Sequence, residues 1–125
     1  YIGSGSIGYT PDLPRREWRL GDPVTTRDQW VLLESQETVG VGPELFAEFV
    51  FRYQEPIARR FGLVYYGCCE PVHTRWHVVR RLPNLRAVSI APLCNHNQKR
   101  RLFRHTHLER TPGAWSDPFD SAIRL

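Results

Sequence analysis

The sequence predicts an α/β chain with parallel strands and an irregular C-terminal tail, and three observations predict it. A long amphipathic stretch opens at Gly42-Pro43 and runs to Phe61. A short run of β-formers, Leu63-Val64-Tyr65-Tyr66, follows at once. A second such run, Arg86 to Ile90, comes after a short apolar-sided segment that Pro83 stops. Strand, helix and strand within about 28 residues make a βαβ unit. Its two strands should be parallel neighbours joined by a right-handed crossover.

Taken in order, residues 1–27 are rich in Gly, Pro and Ser, with turn signals at Thr10-Pro11-Asp12 and Gly21-Asp22-Pro23. No period holds there, and the segment reads as loop. Gln29 to Thr38 starts apolar and turns polar, and period alone does not decide between a buried strand and a helical turn. Pro43 then occupies the first helical position, where its missing N–H costs nothing. Phe46, Phe49, Val50, Tyr53, Ile57 and Phe61 fall on one stripe at helical spacing, so that stripe should face the core. Glu44, Glu48, Arg52, Glu55 and Arg59 take the wet side. Pro56 should kink the helix, and Gly62 stands where a left-handed cap would end it. After the first strand, Thr74 is the expected N-cap of a short helix whose apolar side is Trp76, Val78, Val79 and Leu82. Asn84 turns the chain into the second strand. After Asn95 no period is sustained, and the tail carries no predicted element.

Composition narrows the function classes. The 125 residues are those of an ordinary water-soluble fold, and no apolar run approaches the ~18 residues that span a bilayer. No membrane partner is expected, and the start has no signal-peptide character, so the expected compartment is the cytoplasm. The net charge of +4 sits in residues 96–110, where Lys99, Arg100, Arg101, Arg104 and Arg110 face Glu109 alone. A short solvated basic run is commoner than a phosphate-binding one, so nucleic acid is not the favoured partner, and a non-enzymatic module whose basic tail binds it ranks last among the alternatives. Methionine is absent and Tyr1 is bulky, which suggests a piece of a longer reading frame.

Chemistry in parallel α/β sheets gathers at the carboxyl ends of the strands. The first strand ends in Gly67-Cys68-Cys69-Glu70-Pro71 with His73 beyond, and the second in Ala91-Pro92-Leu93-Cys94-Asn95. Adjacent strands lie ~4.8 Å apart, so Cys68 or Cys69, Glu70, His73 and Cys94 can reach one small volume. Glu70 suits a general acid or base, or else caps the next helix or pairs with an Arg. Cys68 and Cys94 are candidate zinc ligands, although small thiols also fill a sheet end. Ser35-Gln36-Glu37 is a polar patch that suits a substrate loop, although spacing alone favours the solvated end of an element. The His-rich cluster of Cys94, His96, His105 and His107 matches no standard finger spacing.

The segment from Ser35 to Phe46, with Phe49 and Tyr53, resembles the loop and helix of the uroporphyrinogen decarboxylase superfamily. Tyr66-Gly67-Cys68-Cys69-Glu70-Pro71, then Pro83-Asn84-Leu85-Arg86 and Ile90-Ala91-Pro92, looks like its decarboxylase-like bacterial branch. The likeness covers residues 1–94 and leaves 95–125 as a tail outside the family pattern. It implies a partial (β/α)8 TIM barrel, because two strands and two helices cannot close a barrel of eight. It also implies decarboxylation of a tetrapyrrole carboxylate without a cofactor, by a parent enzyme that would form a homodimer, with this piece inactive alone. Glu34-Ser35 matches the family's cleft pair, with the spacing to Gly42-Pro43 one residue longer. The expected catalytic residues are therefore Glu70 and Ser35, and the substrate contacts Ser35, Tyr66 and His73. A related branch, the corrinoid methyltransferases, binds zinc through a His-x-Cys pair and a distant Cys. Here Tyr66 replaces that His while Cys68 keeps the Cys position, so zinc and a methyl-donor substrate form the alternative.

Overall fold

A computed structural model of the chain describes residues 14, 17, 19–89 and 122–124. Four strands, β1 (Trp30–Leu33), β2 (Leu63–Tyr66), β3 (Leu85–Ser89) and β4 (Ala122–Arg124), lie in the order β1-β2-β3-β4. The first three are parallel: Leu33 lies beside Tyr66, and Tyr66 beside Val88. The expected βαβ unit is thus present, and β1 extends it by one more strand. The β2–β3 register shifts between Val64 and Tyr65, where the partner changes from Leu85 to Ala87. The stretch that period could not assign splits into β1 and a 3-10 turn, Gln36–Thr38.

The expected irregular tail is corrected at one point. Ala122–Arg124 pairs antiparallel with β3, Ser89 against Ala122 and Ala87 against Arg124. The outer edge of β3 offers unpaired N–H and C=O groups, and an extended three-residue run satisfies them. So brief a run leaves no periodic signal. The described residues therefore form an α/β structure with three parallel strands and one antiparallel edge strand. Ile90 and residues 91–121, including the basic run and the His-rich cluster, lie outside the described residues.

Helix α1 (Pro43–Phe46) passes into a π-helical turn (Ala47–Phe51) and then α2 (Arg52–Ala58). The π turn overturns the predicted helix face at Phe49, Tyr53 and Ile57, while Phe46 stays in the core and Val50 packs against it. Arg52 N–H reaches the carbonyl of Ala47, five residues back, which inserts one residue into the turn. Every later inward position moves along by one. Phe46, Phe51, Gln54 and Ala58 are buried, whereas Phe49 (62% exposed), Tyr53 (61%) and Ile57 stand outside. Helix α2 continues through Pro56 to Ala58.

The core is one cluster: Leu33 of β1, Val64 and Tyr66 of β2, and Val88 of β3 meet Phe46, Phe51 and Ala58. Val72 and the residues of α3 (Trp76–Val79), with Leu82, complete it. Trp76, Val78, Val79 and Leu82 are buried as their spacing predicts. Thr74 is not the cap of α3. A 3-10 turn, Val72–Arg75, precedes that helix, and the Thr74 hydroxyl donates to the Pro71 carbonyl inside it. Asn84 turns the chain with a φ of 61°, and its amide donates to the Phe61 carbonyl at 2.8 Å. That bond satisfies a carbonyl freed by the helix end and ties it to the start of β3.

Gly62 departs from its expected role. It is not in the left-handed region, where the structure places Gly21, Gly40 and Gly67 instead. Its small size serves a close approach. A Cβ there would collide with the Arg27 carbonyl and the Pro14 ring, and Gly62 N–H donates to the carbonyls of Thr26 and Gln29, both at 3.2 Å. We predict that Gly62→Ala lowers stability by about 1–3 kcal/mol, the usual cost of overpacking a fixed contact. Urea unfolding checks this, and an unchanged midpoint contradicts it.

Candidate functional site

Parallel strands aim their carboxyl ends at one edge, so the residues that follow them meet there. Ser35 comes two residues after β1, Cys68 and Glu70 follow β2, and Ser89 ends β3. Of the strand-end gathering expected from sequence, Glu70 meets the Cys68 backbone, and Cys94 lies outside the described residues; the centre is Glu70. This side chain is fully buried. One carboxylate oxygen accepts the N–H of Ser35 at 3.1 Å, and the other accepts the N–H of Cys68 at 2.7 Å. A buried carboxylate needs such donors, since each lone pair left bare costs its full desolvation. Glu70 thereby fastens the loop after β1 to the loop after β2.

Ser35 is buried and used at every polar atom. Its N–H goes to Glu70, and its carbonyl accepts from the Thr38 hydroxyl at 2.7 Å. Its own hydroxyl shares a hydrogen bond of 2.7 Å with the Tyr66 hydroxyl. Glu34 is exposed, but its carbonyl accepts from the Gln54 amide at 3.0 Å. That bond locks the loop to α2, and it exists because the π turn brings Gln54 inward.

Tyr66, the last residue of β2, is also fully buried. Burial pushes its hydroxyl up to about 12 from the ordinary 10.0. The Ser35 hydrogen bond opposes the shift, the nearby charge of Glu70 adds to it, and Arg75 and Gln54 oppose it. Tyr66 therefore keeps its proton through the neutral range.

Arg75 was not anticipated from sequence. It is buried, donates to the Thr38 hydroxyl at 2.6 Å and the Thr38 carbonyl at 2.8 Å, and lies over the Phe46 ring at 4.5 Å. Its Nε finds no hydrogen-bond partner among the described residues. Ser89 was missed as well; its hydroxyl donates to the Cys68 carbonyl at 2.7 Å. A lone serine at the end of an apolar strand was the available signal. Nothing local marks Gln54 or Arg75 as buried.

The remaining candidates lie around this cluster. His73 is half-buried in the Val72–Arg75 turn, and Cys68 is half-buried with Cys69 exposed beside it. Cys94 lies outside the described residues. Among those residues no group of three or more His, Cys, Asp or Glu side chains is arranged to hold a metal ion. Glu70 gives one acceptor site on each oxygen to a backbone amide.

The arrangement defines an α/β protein with a buried polar cluster at the carboxyl edge of three parallel strands. No helix among the described residues is long and apolar enough to cross a membrane. No protein-family model, no curated protein and no solved structure matches the chain.

The Tyr66 shift predicts a pH dependence of stability. The folded state holds this proton to about 12, whereas the unfolded chain releases it near 10.0. Below the lower value the group contributes its full stabilisation, and the contribution is lost as pH rises through that window. Near-ultraviolet tyrosinate absorbance should show a tyrosine ionising only near pH 12, and Tyr66→Phe should remove it. Loss of no such step in the variant contradicts the assignment.

Proposed function

We propose that the chain is part of a (β/α)-barrel enzyme of the uroporphyrinogen-decarboxylase-like class, acting on a tetrapyrrole carboxylate. One observation carries the reading: parallel strands consecutive in sequence are consecutive in the sheet, and their carboxyl ends share one polar cluster. Consecutive order is how a barrel is laid down, and one half of a doubly wound sheet shares it. Three such strands would be one sector; in a closed barrel a further parallel strand would take the place that Ala122–Arg124 holds beside β3, and the parent, a cytoplasmic enzyme and a homodimer in this reading, would supply it.

In this reading the chain's residues bind and orient rather than attack. Glu70 and Ser35 fix the two strand-end loops, and Arg75 stands behind them as a buried cation. His73, half-buried in the Val72–Arg75 turn, would meet a substrate carboxylate. Cofactor-free decarboxylation asks for a held charge and a donated proton; Tyr66 is neutral at neutral pH and holds the Ser35 hydroxyl. The methyl-transfer alternative needs zinc, and the described residues alone do not complete a zinc set. Cys94 would have to join Cys68.

The test is a titration of the full chain with uroporphyrin, followed by porphyrin emission, beside equilibrium dialysis against zinc. The reading predicts saturable binding that His73→Ala weakens by about tenfold, the loss of one charge-assisted hydrogen bond. Binding that does not saturate, or that ignores His73, contradicts it. Zinc held at one equivalent and released by Cys68→Ser or Cys94→Ser would favour methyl transfer instead.

A further inference from the structure

Two adjacent thiols follow Gly67 at the end of β2. Cys68 is half-buried and Cys69 exposed; neither is in a disulfide, and their sulfurs stand 3.6 Å apart. Neighbouring residues joined by a trans peptide keep their Cα atoms ~3.8 Å apart. Ordinary disulfides span roughly 4.4–6.8 Å between Cα atoms. A bond between Cys68 and Cys69 therefore closes only if the peptide joining them twists, and such strained bonds are readily reduced. That peptide is anchored here. Its carbonyl, on Cys68, accepts the Ser89 hydroxyl at 2.7 Å, and the Cys68 N–H is held by Glu70. Twisting it turns the carbonyl away from Ser89.

We propose that Cys68 and Cys69 form a reversible redox-modification site, a dithiol that a small disulfide of the glutathione class converts to a vicinal disulfide. The exposed Cys69, as thiolate, attacks one sulfur of oxidised glutathione and expels one glutathione thiolate, leaving a mixed disulfide. Cys68 then gives its proton to solvent and attacks the Cys69 sulfur, expelling the second glutathione. Two protein thiols become one S–S bond, and one glutathione disulfide becomes two thiols. Oxidation also frees Ser89 from the Cys68 carbonyl, so the state of the pair is felt at the end of β3. None of this depends on the barrel reading.

The full chain is equilibrated without oxygen in glutathione buffers of graded ratio, alkylated, cut with trypsin and mapped by mass. Trypsin releases both thiols in residues 61–75 and Cys94 separately in residues 87–99. The expected product is the 61–75 peptide lighter by two hydrogens and alkylated at neither cysteine. Reduced glutathione should reverse it, and Cys94→Ser should not affect it. The Ser89 amide resonance should shift in step with oxidation. A persistent glutathione adduct on Cys69 with Cys68 still open to alkylation overturns the proposal. So does a cross-link between the two peptides, an absence of oxidation, or a Ser89 resonance that stays still.

Discussion

A carboxylate shut away from water must be given donors, and in this chain the donors of Glu70 are backbone amides from two different loops. That requirement organises the carboxyl edge of the sheet. With its oxygens on Ser35 and Cys68, Glu70 sets where the chain goes after β1 and after β2. Tyr66 can then reach the Ser35 hydroxyl, and Ser89 the Cys68 carbonyl. Hydrogen bonds to a charged acceptor contribute roughly 1.5–3 kcal/mol each, more than the neutral bonds around them. The outer polar contacts depend on this inner pair.

The second determinant is the π turn. By adding one residue between Phe46 and Arg52, it brings Gln54 and Ala58 to the sheet and sends Tyr53 and Ile57 outward. Ala58 permits close packing, and Gln54 holds the Glu34 carbonyl, so the helix is tied to the same loop that Glu70 holds. The cost is an apolar strip of Leu45, Phe49, Tyr53 and Ile57 left facing solvent. A regular helix would have buried more apolar surface but put no donor opposite Glu34.

This explains what the sequence could and could not show. Pro43, the β-rich run 63–66 and the stop at Pro83 each act within a few residues, and each element they signal is present. The helix face was misread because apolar spacing presumes a constant 3.6-residue turn, and Phe49, Tyr53 and Ile57 satisfy that period without facing the core. Ser35 and Glu70 were singled out by type and Tyr66 by resemblance, yet Ser35 meets Tyr66 and Glu70 across 31 and 35 residues, the latter through a backbone amide. No spacing encodes that. Arg75 and Gln54 drew no notice because nothing local distinguishes a buried polar side chain from a solvated one.

The most direct test of the Glu70 clamp is amide hydrogen exchange at Ser35 and Cys68, measured in the native chain and in Glu70→Gln. Both amides should exchange as slowly as those of β2 in the native chain. The amide facing the new NH2 group should exchange at least about tenfold faster in the variant, as expected for losing a bond to a charged acceptor. Fast exchange in the native chain, or rates that the substitution leaves alone, would show that the loops are held by something other than Glu70.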